Sequence, residues 1–167
     1  QKVDHKTELK EKLDTFYKTN KLKIFAFLSI LIAILVSISI LQITNKKKNI
    51  LISEKYINAG LYLSLGEKEK SKNLYNEIIF SENKFYSILA LNTILENDLA
   101  SDEEEIFNYF KIVEGLKINQ EQKDLISFKK ALFFIKNSNL KEGNEILKNL
   151  IEKNSKLKLL AEEIIVE

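Results

Sequence analysis

The residues whose types could do chemistry are few. His5 is the only histidine, and it stands beside Asp4 near the start of the chain. With no cysteine and no second histidine in the sequence, it can assemble neither a nucleophile–base relay nor a usual zinc ligand set. The run Asp102-Glu-Glu-Glu105 is acidic, but a calcium loop needs alternating oxygen ligands around a glycine, and none is present. Carboxylates at a helix start complement the helix dipole, and that explains the run better. Gly60 and Gly66 belong to no phosphate-cradling motif, neither GxGxxG nor GxxxxGK[ST]. Lys46, Lys47 and Lys48 form a basic cluster suited to lipid phosphates. Tyr56, Tyr62, Phe85, Tyr86, Tyr109 and Phe133 are expected mostly in the core, with some lining a groove for a peptide. No catalytic, cofactor-binding or metal-ligating residue is assigned, and a non-enzymatic binding role is expected.

Composition agrees with a folded, helical chain. Of 167 residues, 45% are hydrophobic and 30% charged, which is ordinary for a globular protein. The net charge is only +2 and every basic side chain apart from His5 is lysine. A dedicated nucleic-acid binder carries a larger basic excess and uses arginine forks, so no nucleic-acid partner is expected. No small-molecule substrate is expected either. The sequence has no proline and four glycines, so little interrupts helical runs. It also has no methionine, and Gln1 is expected to follow a longer natural beginning.

The elements that must position these residues start with an apolar run. IFAFLSILIAILVSISILQI, Ile24 to Ile43, holds no charge. As a helix it would rise about 30 Å, the thickness of a bilayer's hydrocarbon core. Residues 22–45 are therefore expected to form one transmembrane helix. Its anchor residues are Ile24, Phe25, Phe27, Leu28, Ile30, Leu31, Ile32, Leu35, Val36, Ile38, Ile40, Leu41 and Ile43. Ser29, Ser37 and Ser39 are tolerable there because a helical hydroxyl can bond a carbonyl one turn back. Residues 1–21 read as a polar amphipathic arm with Leu9, Leu13, Phe16 and Tyr17 at helical spacing, able to lie on a membrane or dock on a partner. Lys10, Lys12, Lys18, Lys21 and Lys23 precede the run, and Lys46, Lys47, Lys48 and Lys55 follow it, so flanking charge does not choose an orientation.

Residues 49–167 read as a helical domain. Helices are expected over Ile52 to Leu65, Glu67 to Phe80 and Lys84 to Asn97, the first closed by Gly66 as a left-handed cap. Capping patterns open three more: Ser101-x-x-Glu104, Asn119-x-x-Gln122 and Asn139-x-x-Glu142. In the fifth, Leu125, Phe128, Leu132 and Ile135 are expected on one buried stripe. A last helix, Leu157 to Val166, is expected to cap the domain with Leu160, Ile164 and Ile165 turned inward. Strand signals are weak throughout.

The helices also repeat. Ala59 is followed by Tyr62, Ser71, Tyr75 and Ile78; at the same offsets Ala131 is followed by Phe134, Gly143, Leu147 and Leu150. A looser copy surrounds Ala90. A small residue lets a second helix approach, and large residues plug the seam to the next pair, which is the logic of tetratricopeptide repeats. The fold class expected is all-α: an N-terminal transmembrane helix followed by a short tetratricopeptide-like solenoid of antiparallel helix pairs.

Tyr56-x-x-Ala59, Gly66-Glu67, Tyr86-x-x-x-Ala90-Leu91, the Ala131 helix and Leu157-x-x-x-Ala161-Glu162 add to this layout. Together they resemble the YfgM-like family, ancillary subunits of the bacterial SecYEG translocon. The resemblance covers nearly the whole chain. It implies a single-pass protein of the bacterial inner membrane with a cytoplasmic N-terminus and a periplasmic repeat domain. It also implies partners: the Sec translocon, and periplasmic chaperones or client chains. The alternative expectation is a scaffold subunit of another envelope complex, in cell division or outer-membrane assembly.

Overall fold

A computed structural model describes residues 2–100 and 102–165, with the side chains of residues 7 onward. The chain is all-helical among these residues, in the order α1 Lys2–Ser64, α2 Lys68–Phe80, α3 Tyr86–Glu96, α4 Glu103–Glu114, α5 Gln120–Lys136, α6 Leu140–Glu152 and α7 Lys158–Ile164. It divides into two units, Gln1–Lys48 and Asn49–Glu167.

The first unit is helical. Separate helices were expected for the arm, the apolar run and Ile52 to Leu65, whereas all three belong to α1. The reason lies in the sequence: no proline occurs, and the first glycine is Gly60, so nothing there breaks the backbone pattern. Ion pairs Lys12–Glu8 and Lys18–Asp14, each 2.7 Å, support the arm one helical turn apart. Leu9, Leu13, Phe16 and Tyr17 are exposed. The apolar run gives one helix long and apolar enough to cross a membrane, and none of that stretch is buried. Ser29, Ser37 and Ser39 donate to Phe25, Ala33 and Leu35 carbonyls at 2.8–2.9 Å, so their hydroxyls are satisfied within the helix.

The second unit packs around two apolar clusters. The first joins the end of α1 to α2, α3 and α4 through Ala59, Tyr75, Ile78, Ala90, Leu91, Ile94, Tyr109, Phe110 and Val113. The second joins α5, α6 and α7 through Phe128, Ala131, Leu147, Leu150 and Ala161. Ile126 on α5 reaches back into the first cluster. Helix pairs α2–α3, α5–α6 and α6–α7 lie side by side, whereas α3 and α4 meet less closely.

Several expected details shift. Asp102, not Ser101, caps α4, its side chain accepting from Glu104 N at 3.0 Å; Ser101 lies outside the described residues. Asn119 and Gln122 do form a reciprocal capping box on α5, but Asn139 makes no side-chain cap bond on α6. Of the stripe expected on α5, Phe128 is buried and Ile135 packs against the second cluster, but Leu125 and Leu132 are exposed, and Asp124, Ile126 and Ala131 are buried besides. On α7 Leu160 is exposed; Ala161 is buried, and Leu157, Ile164 and Ile165 pack against the second cluster. Val166 lies outside the described residues.

The repeat positions separate into two kinds. Ala59, Ser71, Tyr75, Ile78, Ala90, Ala131, Gly143, Leu147 and Leu150 are all buried. Tyr62 and Phe134 are not: Tyr62 is half-buried under the Lys70 ammonium, and Phe134 is half-buried against Phe107. A residue four positions on from the small one takes the seam instead, Leu63 in the first cluster and Ile135 in the second. Four residues turn a helix 40° past a full circle and three fall 60° short, so the fourth sits closer above the small residue.

Candidate functional site: an apolar groove between α3 and α5

The α3–α4 connection begins with a left-handed turn. Asp98 has φ of 46°, and Leu99 N donates to Ile94 O at 3.0 Å, which closes α3 sharply. Asp102 is extended where α4 begins. α3 and α4 meet less closely than α2 and α3 do.

A groove of about 280 Å³ lies beside this connection, lined by residues of α3, α4 and α5. Ile94, Leu95, Ala100, Ile106, Leu132 and Phe133 form its apolar lining. Glu96, Asp98, Glu103, Lys129, Lys136 and Asn137 form its polar rim. Two ion pairs cross between the helices, Lys136–Asp98 at 2.7 Å and Lys129–Glu96 at 3.5 Å. The hydrogen bond and charge of Lys136 hold the Asp98 carboxyl below the usual aspartate range. The Lys136–Asp98 pair is largely open to solvent and Glu96 is exposed while Lys129 is half-buried, so these pairs guide and orient more than they stabilise. An apolar trough with charges at its edge suits an apolar side chain presented by a polar backbone, as in peptide recognition.

A second polar cluster lies between α2 and α4. The Lys72 ammonium pairs with Glu105 at 2.7 Å, the Tyr109 hydroxyl bonds to Glu105 and to Asn76, and Asn76 donates to Glu105 at 3.4 Å. Burial pushes the Glu105 carboxyl up, but Lys72, Tyr109 and Asn76 outweigh burial and hold it below its usual range. Burial and the adjacent carboxylate both push the Tyr109 phenol up. Glu105 is thus an ionised acceptor and Tyr109 a neutral donor, each satisfied by the other, which is a structural tie between helices.

The acidic run therefore resolves into a cap, Asp102, and an ion-pair partner, Glu105. Among the described residues no group of three or more His, Cys, Asp or Glu side chains converges to hold a metal ion. The His5 side chain lies outside the described set. Of the aromatic candidates, Tyr109 is buried, Tyr56, Tyr62, Tyr86 and Phe133 are half-buried, and Phe85 is exposed. Only Phe133 lines the groove. Compared with known proteins, the chain gives no significant match to any family model, curated protein or solved structure.

No motif in the sequence marks the groove, because its lining is assembled from three separate helices. The signal was present in part: Leu132 was expected on the buried stripe and is 36% exposed at the groove.

Proposed function

We propose that this chain is a membrane-anchored, non-enzymatic adaptor. Ile24 to Ile43 spans the bilayer, and residues 49–167 form a short tetratricopeptide-like solenoid that docks protein partners. The observation that carries the reading is the apolar, charge-rimmed groove between α3 and α5 in a chain that also holds a bilayer-length apolar helix. Anchoring raises the domain's effective concentration at the membrane, so a modest groove can still be occupied.

The partners proposed are those implied by the resemblance, namely the Sec translocon with emerging clients or periplasmic chaperones. The topology proposed follows the same source: cytoplasmic arm, inner-membrane span, periplasmic domain. Long domains translocate largely regardless of the charges beside a span, so Lys46–Lys48 does not oppose this.

The test is photo-crosslinking from position 132 and from the span in intact cells. Adducts with a translocon component or a periplasmic chaperone are expected. With a second probe at groove position 136, a Leu132→Glu substitution should abolish the groove adduct with little change in unfolding temperature, since Leu132 is 36% exposed. Recovery of only division or outer-membrane assembly proteins would replace the translocon by that scaffold role, and no adduct at all from position 132 would remove the groove as a docking site.

A further inference from the structure

Of the aromatic residues described between positions 49 and 165, only Phe80 and Phe85 are exposed, at 57% and 59%. Phe80 ends α2 and Phe85 is the last residue of the short connection, residues 81–85, between α2 and α3. Each ring has one aromatic neighbour, Tyr109 for Phe80 and Tyr86 for Phe85, and presents the rest of its surface outward.

The connection is held in a defined place. Asn83 Oδ1 accepts from Phe85 N and Tyr86 N, each at 3.0 Å, and so fixes the entry to α3. The same side chain donates through Nδ2 to Asn49 Oδ1 at 2.8 Å. Asn49 is six residues beyond Ile43, where the apolar run ends. Even a fully extended chain of that length covers at most about 20 Å, whatever its direction. Ile50 and Leu51, next to Asn49, are exposed as well. Between the two phenylalanines lies Lys84, exposed and without an ion pair among the described residues.

We propose that the α2–α3 connection is a membrane-contact element, with Phe80 and Phe85 entering the interfacial region of a bilayer and Lys84 meeting lipid phosphate. This rests on the reading of Ile24 to Ile43 as a membrane span. Exposed aromatic rings beside a free lysine fit the layered chemistry of an interface, apolar below and anionic above. The short tether keeps the connection in reach of the same bilayer, so a weak contact is populated as an intramolecular one. Its consequence is orientation: the contact limits the tilt of the domain and so the directions in which it can present a docking surface.

The chain has no tryptophan, so a single introduced indole is a clean reporter. Phe85→Trp, Phe80→Trp, Phe27→Trp and Leu65→Trp would each be made in the full chain and reconstituted into vesicles of phosphatidylglycerol and brominated phosphatidylcholine. The indoles at 85, 80 and 27 are expected to lose most of their fluorescence to the bromolipid, and the indole at 65 to keep it. Helical circular dichroism checks that each variant folds. If position 27 is quenched while 85 and 80 are not, the membrane contact is wrong. Acrylamide quenching then distinguishes rings in water from rings covered by protein, such as a second copy, and either result overturns the proposal. If position 27 itself escapes quenching, the anchor reading fails, and the argument from chain reach fails with it.

Discussion

Gly143 on α6 and Ile135 on α5 meet with no room for a methyl group between them: a Cβ on Gly143 would stand 2.6 Å from Ile135 Cγ1 and 3.0 Å from the Ala131 carbonyl oxygen. The second contact is backbone and cannot rotate aside. Gly143→Ala is therefore expected to force the two helices apart and destabilise the domain. Overpacking of this kind costs about 1–3 kcal/mol, more than the ~1 kcal/mol that alanine gains in helix propensity. Gly60 provides the control, because its Cβ would meet only Tyr75 Oη, at 3.7 Å. Gly60→Ala is expected to be neutral or stabilising by up to about 1 kcal/mol. Urea unfolding of both variants checks the contrast, and equal effects would contradict it.

Ser71 occupies the matching small position on α2, and its buried Oγ has no hydrogen-bond partner. Size explains a small residue there, but nothing in the packing explains the hydroxyl. Ser71→Ala keeps the close approach and removes an unsatisfied group, so a gain of about 1 kcal/mol is expected. A loss of stability in the same urea titration would show that the hydroxyl has a partner after all.

The two asparagines that looked alike in sequence should behave differently. Asn119 accepts from Gln122 N at 2.9 Å and completes a capping box, whereas Asn139 makes no side-chain cap bond. Asn119→Ala is expected to cost about 1 kcal/mol, and Asn139→Ala less than about 0.5 kcal/mol. Comparable losses in thermal unfolding would mean that Asn139 caps α6 in solution.

This pair also indicates how far the sequence could be read. Helix positions were legible because Leu, Ile and Phe recur at helical spacing, and the small residues Ala59 and Ala131 marked where helices touch. Boundaries were less legible because closure of the helices depends on backbone conformation. Gly66 announces its left-handed turn, with Glu67 N donating to Tyr62 O at 2.9 Å. Asp98, Ser138 and Asn154 make the same turn, and nothing in their side chains requires it. The groove was illegible because its lining comes from α3, α4 and α5 together, which no local pattern brings into view. The buried Asp124 was missed because two of its three partners, Lys153 and Ser155, lie about thirty residues on, beyond α6.

Those left-handed residues give a further prediction. Ser138 has φ of 63°, a conformation that strains any residue with a Cβ. Ser138→Gly is expected to raise stability by up to about 1 kcal/mol, the relief of Cβ strain exceeding the entropy glycine adds to the unfolded chain. Asn154→Gly should gain less, because asparagine tolerates this region better. A ranking in the opposite order by thermal unfolding would place the strain elsewhere.

Asp124 ties the start of α5 to the turn that leads into α7. Its carboxylate accepts from Ser155 Oγ at 2.5 Å and Gln120 Nε2 at 2.8 Å, and pairs with Lys153 at 2.7 Å. Burial pushes this carboxyl up, but the three donors outweigh burial and hold it below the usual value of 3.8. The unfolded chain therefore takes up this proton more readily than the folded one. The stabilisation is complete above the unfolded value and is lost as the pH falls through 3.8 towards the lower folded value. Asp124→Asn removes the charge at similar size and is expected to cost about 2 kcal/mol near neutral pH. Because Glu105 titrates in the same direction, the quantity to follow is the difference between the unmutated chain and Asp124→Asn, by urea unfolding from pH 7 to pH 3. That difference should shrink as the pH falls below about 4, when the unmutated chain also loses its ionised acceptor. A gap that stays constant over this range would show that Ser155, Gln120 and Lys153 do not depend on the charge of Asp124, and that α7 is held by the apolar contacts of Ala161, Leu157 and Ile164 alone.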